Sequence, residues 1–325
     1  MGTHSTRIET IAGTAAGIVT PICLHPLDLV KTRLQVRSNA PPTWGDSTRL
    51  IRDILHEGGG RALYRGLSPN LIGNVTGLGL YFLLYSSFNQ MLLATSRIKR
   101  DGKGRLNMYE YFLTSGAAGA ITTILTNPIW VIKTRMLTTS AHASSISVPN
   151  DRYAYPSFFI GMKTIYRTEG LGGFYRGLVP GMFGVFHGAF QFMAYEKMKF
   201  WLGARKASSG SLLHAPSSAG ISGGSAQPAS LNMLDIAISS GLSRIFANVL
   251  TYPHQVLRSR MQAATNQTDI PRRLVPIIRS MWRENGIAAF YRGLGPGLFR
   301  ILPGTWLTFM TYEKVKTFLG DQRMV

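Results

Sequence analysis

Three similar copies of a short motif around a proline constrain the fold of this chain more than any other feature. The copies read CLHPLDLVKTRLQV at residues 23–36, TNPIWVIKTRML at 126–137 and TYPHQVLRSRMQ at 251–262. Each is followed by a Tyr-Arg-Gly element, whose glycine is residue 66, 177 or 293. Self-similarity at a regular spacing is the signature of a fold assembled from equivalent units. The sequence therefore predicts three repeats with the same succession of elements.

Six long stretches of the chain carry almost no charge. Only 15% of the residues are charged, against about 25% in soluble domains. The stretches lie between Glu9 and Asp28, Arg65 and Arg97, Glu110 and Lys133, Arg176 and Glu196, Asp235 and Arg258, and Arg292 and Glu313. About 20 apolar residues cross a bilayer as a helix, and the many small and hydroxyl residues suit helices that pack closely. We expect an all-α membrane protein with six transmembrane helices.

The strong positive charge of the chain, +20, raises the question of its partner. Nucleic acid is one interpretation. However, no basic run is interleaved with aromatic residues, and the bases concentrate in the links between apolar stretches. Lipid headgroups and anionic solutes fit this distribution better, so we expect no nucleic acid partner.

The repeated motifs resemble those of the mitochondrial carrier family. The family's mark is Pro-x-(Asp/Glu)-x-x-(Lys/Arg)-x-(Lys/Arg) in three copies, each with Gly-(aromatic)-(Lys/Arg)-Gly downstream. This chain has the proline and both bases in every copy, the acid in the first copy only, and Tyr-Arg-Gly after each copy. The resemblance implies a barrel of six helices with pseudo-threefold symmetry, short amphipathic helices on the matrix side, and a multi-pass protein of the mitochondrial inner membrane. We expect repeats at 1–100, 101–202 and 231–325, with a flexible Gly/Ser-rich linker at 203–230.

The motif prolines Pro26, Pro128 and Pro253 are expected to kink three helices, followed by a charged turn that forms a gate on the matrix side. The gate residues are Asp28 and Lys31, Trp130 and Lys133, and Gln255 and Arg258, with Gln35 and Gln262 as braces beneath them. The family's pairing joins each acid to the base of the following repeat. It predicts one ion pair, Asp28–Lys133. Gln255 is expected to hydrogen-bond Lys31, and Trp130 to stack on Arg258.

A second gate, on the cytoplasmic side, is implied by YEKMK at residues 195–199 and YEKVK at 312–316. Its charged residues are Glu196, Lys199, Glu313 and Lys316. The family's pairing predicts an ion pair between Glu196 and Lys316. The three Tyr-Arg-Gly glycines, Gly66, Gly177 and Gly293, begin helices whose free N–H groups suit phosphate, and the resemblance implies that they hold cardiolipin.

Two arginines, Arg244 and Arg300, are the cations inside the apolar stretches, where ionisable groups are expensive and often functional. Counting back from the second-gate tyrosines sets the level at which the family contacts its substrate. The candidate substrate-binding residues are Arg300, Arg244, Phe183, Gly184, Asn74, His187, Gln191, Asn248 and Tyr81. Arg244 could instead snorkel toward lipid, and His187 could serve helix packing. Two arginines with aromatic and amide groups suit a large, flat anion rather than a small dicarboxylate.

The expected function is transport without bond chemistry. The sequence shows no Walker-type loop, no metal-ligand spacing and no Ser-His-Asp arrangement, so we expect no enzyme, no metal and no catalytic cofactor. Fragments such as NPIWVIKTR, with Trp130 in the acid position, resemble the branch of carriers for folate/FAD, NAD and pyrimidine nucleotides. We therefore expect a monomeric transporter of FAD or folate. The alternatives are an NAD or pyrimidine-nucleotide carrier, or a membrane scaffold that has lost transport.

Overall fold

The computed structural model describes residues 2–37, 45–95, 108–139, 155, 157–209, 233–265 and 273–321. By internal contacts the chain forms two compact units. The first contains residues 1–185 and 252–325, and the second contains residues 186–251. The described residues are overwhelmingly helical, which confirms the all-α prediction.

In the first repeat, helix α1 spans Gly2–Val36, α2 spans Asp46–Ala62 and α3 spans Leu67–Thr95. In the second, α4 spans Met108–Thr138, α5 Phe158–Glu169, α6 Leu171–Phe174, α7 Leu178–Phe183 and α8 Val185–Ser209. In the third, α9 spans Met233–Ala263, α10 Leu274–Asn285, a 3-10 helix Gly286–Tyr291, α11 Leu294–Phe299 and α12 Ile301–Asp321. Helix α8 gives the start of the predicted linker a helical backbone, whereas residues 210–230 lie outside the described part.

Long helices stand where the six apolar stretches predict them. Three segments of the described residues are long and apolar enough to cross a membrane: Ile11–Val36, Gly58–Ala94 and Tyr109–Thr138. These lie in the first repeat and the first half of the second. The full count of six transmembrane helices stays a prediction.

The charged turn predicted after each proline is wrong, because the helices continue through the motif. Pro26, Pro128 and Pro253 all lie inside α1, α4 and α9. A proline removes one backbone hydrogen bond, and the following residues, rich in Leu, Lys and Arg, favour helix enough to carry it forward. The gate side chains therefore project from helices. The kinks predicted at the prolines stay a prediction.

Each repeat contains two apolar stretches. The second of them forms one helix in the first repeat but is broken in the other two. Gly184 separates α7 from α8, and Arg300 separates α11 from α12. Pro303 explains the second break, since it has no N–H to donate to the carbonyl of Phe299, one turn earlier. Both breaks fall at the level where the sequence predicts substrate contact.

Three small hydrophobic clusters fix the short helices against the ends of the long ones. Leu29, Val30 and Leu34 of α1 pack with Leu50 and Ile54 of α2. Equivalent clusters join α4 to α5 and α6, and α9 to α10. Burying one such side chain contributes roughly 1.5–3 kcal/mol. The motif end of each long helix is thereby held by its own repeat.

Candidate functional site

The acid of the first motif makes its ion pair with Arg300. One oxygen of Asp28 lies 2.8 Å from Nη1 of Arg300, with the side chains 8% and 38% exposed. The predicted pair of Asp28 with Lys133 is wrong in this structure. Lys133 donates to Oδ1 of Asn70 at 2.8 Å and lies 4.9 Å from the centre of the Trp130 ring.

The backbone break at Arg300 explains why Asp28 pairs with Arg300 rather than with Lys133. The register of the second-gate tyrosines predicts Arg300 at the level of substrate contact rather than among the gate residues. At the junction of α11 and α12, however, the long arginine side chain reaches Asp28 on α1. The Nε atom of Arg300 is buried and has no hydrogen-bond partner. A guanidinium has five N–H donors, so this one keeps unused capacity for an acceptor.

The other two contacts predicted for the motif residues are confirmed, whereas their role as a gate stays a prediction. Nζ of Lys31 donates to Oε1 of Gln255 at 2.9 Å. The guanidinium of Arg258 lies 5.9 Å from the centre of the Trp130 ring. An amide and an indole thus occupy the two positions where the family motif has acids.

Charge is therefore unbalanced at the gate. The cations are Lys31, Lys133, Arg258 and Arg300. Among the described residues, Arg300 is the one of these four cations that pairs with a carboxylate, that of Asp28. Lys31 and Lys133 contact amides, and Arg258 contacts the Trp130 ring. Amides and an aromatic ring solvate the cations without neutralising them. Buried like charges are costly unless they are paired, so the site favours an anion.

The braces also join neighbouring repeats. Nε2 of Gln35 donates to the hydroxyl of Tyr252, and Oε1 of Gln35 accepts from Ser259 at 2.7 Å. Oε1 of Gln262 accepts from Thr134 at 2.7 Å, while its Nε2 is buried without a partner.

The last base of each motif takes part in a cycle of contacts that the sequence did not predict. Nε of Arg33 donates to the carbonyl of Leu137, Arg135 to that of Gln262, and Arg260 to that of Gln35, at 2.9–3.0 Å. Each arginine reaches the equivalent residue of the next repeat, and the third returns to the first. In the sequence, the second Lys/Arg position of the motif indicates only the donor of each contact. The acceptors are backbone atoms, which no residue type marks.

Two mostly buried glutamates hold two of these three arginines in place. Glu169 makes a two-pronged contact with Arg135 at 2.9 Å and an ion pair with Arg176 at 2.8 Å. Glu284 pairs with Arg260 at 2.9 Å. Burial is the main cause that lowers the pKa of nearby Arg292, whose Nη1 donates to the carbonyl of Arg37. Both glutamates come from the Glu-Gly and Glu-Asn-Gly steps before Tyr-Arg-Gly, which marked them in the sequence.

The residue before each proline was also missed. His25, Asn127 and Tyr252 all contact the carbonyl of the arginine in their own Tyr-Arg-Gly element. Three different side chains thus make one equivalent contact. Because the three residues are of different types, a motif search does not reveal that they make the same contact.

The three Tyr-Arg-Gly glycines are required by close packing. Gly66, Gly177 and Gly293 have φ of 78°, 71° and 76°, a left-handed conformation that favours glycine. A Cβ on Gly177 would lie 2.9 Å from the carbonyl oxygen of Arg258, and one on Gly293 equally close to that of Lys31. Each glycine meets the next repeat, so tertiary contact explains it without lipid. Cardiolipin binding stays a prediction.

Two predicted substrate residues line a cavity in the first unit. Asn74 and Tyr81 of α3 face it together with Trp130 of α4 and Arg258 of α9, and its volume is about 360 Å³. Phe183, at the end of α7, is 57% exposed. Gly184 lies close to the imidazole of His254, to which a Cβ would come within 3.3 Å.

The remaining predicted residues lie in the second unit or near the second gate. Within the second unit, Nδ1 of His187 is 2.7 Å from the hydroxyl of Thr251, which supports the packing alternative for His187. Arg244 is exposed, and Asn248 and Gln191 are half-buried. The substrate roles of these residues stay predictions.

Lys199 lies over the ring of Tyr195 and Lys316 over that of Tyr312. The Glu196–Lys316 pair and the role of Glu313 stay predictions. In the searched part of the chain, no group of three or more His, Cys, Asp or Glu is placed to hold a metal.

Comparison with known proteins identifies the family. The model of the mitochondrial carrier protein family matches residues 2–96, 104–206 and 229–323. The mitochondrial FAD carrier protein FLX1 of Saccharomyces cerevisiae is 34% identical over 95% of this chain and 96% of its own length. Folate transporter 1, chloroplastic, of Arabidopsis thaliana is also 34% identical, over 95% and 94%. Nicotinamide adenine dinucleotide transporter 1, chloroplastic, of the same plant is 33% identical, over 95% and 90%. The chain belongs to the mitochondrial carrier family, whose members are transporters.

Proposed function

We propose that the protein transports an anionic cofactor with flat rings, FAD or folate, across the mitochondrial inner membrane by alternating access. The observation that carries this proposal is the excess of cations among the gate residues, where, in the described part of the chain, Asp28 pairs with Arg300 while Lys31, Lys133 and Arg258 contact uncharged groups. A phosphate or carboxylate group relieves that imbalance. Guanidinium groups are well suited to it because they contact both anions with two parallel hydrogen bonds.

The aromatic residues beside these cations favour a large ligand over a small one. Trp130 and Tyr81 line a cavity that Arg258 also reaches. A small dicarboxylate would satisfy the charge and leave these surfaces unused. FAD and folate each join a flat heterocycle to anionic groups, and relatives named for both are 34% identical to this chain.

The Asp28–Arg300 pair supplies a coupling between binding and the gate. A substrate anion at Arg300 competes with the Asp28 carboxylate for the same guanidinium. A released Asp28 becomes available to Lys133, its partner by the family pattern. A ligand shifts a conformational equilibrium only by its differential affinity for the two states, and this exchange of partners provides such a difference.

Transport assays in liposomes test the proposal. Purified protein is reconstituted, and uptake of labelled FAD or folate is measured against competing FAD, FMN, folate, NAD and pyrimidine nucleotides. We expect FAD or folate to compete best. Preference for NAD or a pyrimidine nucleotide, which the NAD-transporting relative keeps open, would reassign the substrate. Absence of uptake for the entire panel would favour the scaffold.

Lipid binding and oligomeric state complete the proposal. We expect a monomer that binds cardiolipin at the starts of the helices after Gly66, Gly177 and Gly293, because free N–H groups there suit phosphate. Cardiolipin should then raise the melting temperature of the purified protein more than a neutral lipid does, and equal effects of the two lipids would contradict this part.

A further inference from the structure

The cavity between α3 and α4 owes its shape to two glycines. A Cβ on Gly73 would come within 3.3 Å of Trp130, whereas one on Gly77 would find its nearest atom, a methyl carbon of Thr126, at 4.0 Å. Gly73 therefore allows the two helices to approach, and Gly77 leaves the wall without a side chain. A bare helical backbone facing an indole bounds a flat slot.

The polar groups of this slot are incompletely used. Nδ2 of Asn74 makes only a long contact, 3.4 Å, with Asn70. The hydroxyl of Thr122 is buried and has no hydrogen-bond partner. By contrast, Thr123 donates to the carbonyl of Gly119 and Thr126 to that of Thr122, both at 2.7 Å. An unsatisfied buried hydroxyl costs roughly 1–3 kcal/mol, and helical threonine has two favoured rotamers, so Thr122 has both the reason and the freedom to turn toward a ligand.

Size limits what the cavity accepts. At about 360 Å³ it is at the lower end of the roughly 300–1,000 Å³ usual for ligand sites. One fused-ring system fits this range, and an entire dinucleotide does not. A mainly apolar slot with a few convergent polar groups is the usual environment for a heterocycle.

We propose that this slot binds the heteroaromatic ring of the transported molecule, and that Asn74 and Thr122 select the ring by hydrogen bonds. The proposal rests on the proposed function and deepens it. Arg258 lines the slot and also belongs to the cation cluster. A ring in the slot thus leaves its anionic tail within reach of that cluster. Gly73, Gly77 and Thr122 become determinants of specificity beside Asn74.

A pair of glycine variants tests the slot. Gly77→Leu fills it, while Gly79→Leu places the same side chain two residues further along α3, where no atom lies within 4 Å and the cavity is not lined. We expect Gly77→Leu to weaken FAD or folate binding at least tenfold and Gly79→Leu to change it less than twofold. Because leucine favours helix over glycine, neither variant should lower the melting temperature, so a loss of binding reports a filled slot.

A pair of threonine variants tests the hydrogen bond. Thr122→Val removes the unused hydroxyl, and Thr114→Val removes one that already bonds to the backbone of α4 outside the slot. We expect a three- to tenfold weaker affinity for FAD or folate in the first and no change in the second. Inorganic pyrophosphate, which has no ring, should stabilise the wild type and both variants equally.

The measurements are uptake into liposomes and the ligand-induced rise in melting temperature. Uptake by the wild type with equal affinities in Gly77→Leu and Gly79→Leu would overturn the slot and leave the proposed function standing. No uptake, but a rise in melting temperature with FAD that Gly77→Leu abolishes, would support the slot and overturn transport. Neither uptake nor a rise with FAD or folate would overturn both.

Discussion

The layer of contacts beneath the gate and the gate itself are built in different ways from the same three repeats. In the lower layer, Arg33, Arg135 and Arg260 make one equivalent bond each to a carbonyl of the next repeat. At the gate, the equivalent positions are Asp28, Trp130 and Gln255, and they make an ion pair, a cation–π contact and a hydrogen bond. The lower layer is thus threefold, and the gate is not.

Backbone acceptors explain the regularity of the lower layer. A carbonyl is present whatever the residue, so Leu137 serves Arg33 as well as Gln262 serves Arg135. Side-chain pairs at the gate depend on both residues. Divergence there can adapt the protein to an asymmetric substrate while the layer below keeps the repeats joined.

The largest effect should come from breaking the lower layer at Glu169. This carboxylate is 1% exposed and serves two arginines, whereas Glu284 is 14% exposed and pairs with Arg260. Leaving a buried charge without its partner costs about 3–5 kcal/mol, so Glu169→Ala should lower the melting temperature of the purified protein more than Glu284→Ala does. A smaller fall in melting temperature for Glu169→Ala than for Glu284→Ala would show that burial does not set how much these carboxylates stabilise the protein.

Removing Arg300, which we propose binds the substrate, should have the next largest effect. Arg300→Ala should slow uptake of FAD or folate by about 100-fold, roughly 2.7 kcal/mol, with the protein still folded. Arg300→Lys should restore little, because an ammonium lacks the planar fork. Near wild-type uptake by Arg300→Ala would remove Arg300 from the substrate site.

A split between kcat and KM should identify Asp28 as a competitor of the substrate. Asp28→Asn keeps the shape and removes the charge that holds Arg300. KM should fall several-fold because the guanidinium is freed, and kcat should fall about tenfold because the gate loses its acid. A rise in KM would mean that Asp28 assists binding instead.

The two braces should give the smallest effects and differ from each other. Gln35 has both ends bonded, so Gln35→Leu should cost about 1–2 kcal/mol of stability. Gln262 has a buried Nε2 without a partner, and Gln262→Leu removes that unsatisfied group together with one bond. Its net cost should be below about 0.5 kcal/mol. Equal falls in melting temperature for the two variants would show that the unpaired amide of Gln262 does not reduce stability.

The sequence by itself determined the three repeats, the helical class and two of the three gate contacts. Lys31 with Gln255 and Trp130 with Arg258 were predictable because side-chain chemistry and threefold register are both readable from letters. Only the tertiary structure decided that Asp28 meets Arg300, because a helix break at Arg300 and a long side chain bring together residues that register assigns to separate levels. It also decided which carbonyls act as acceptors beneath the gate and where the slot beside Gly77 lies. Backbone contacts and cavities depend on how the helices pack, and no residue type encodes them.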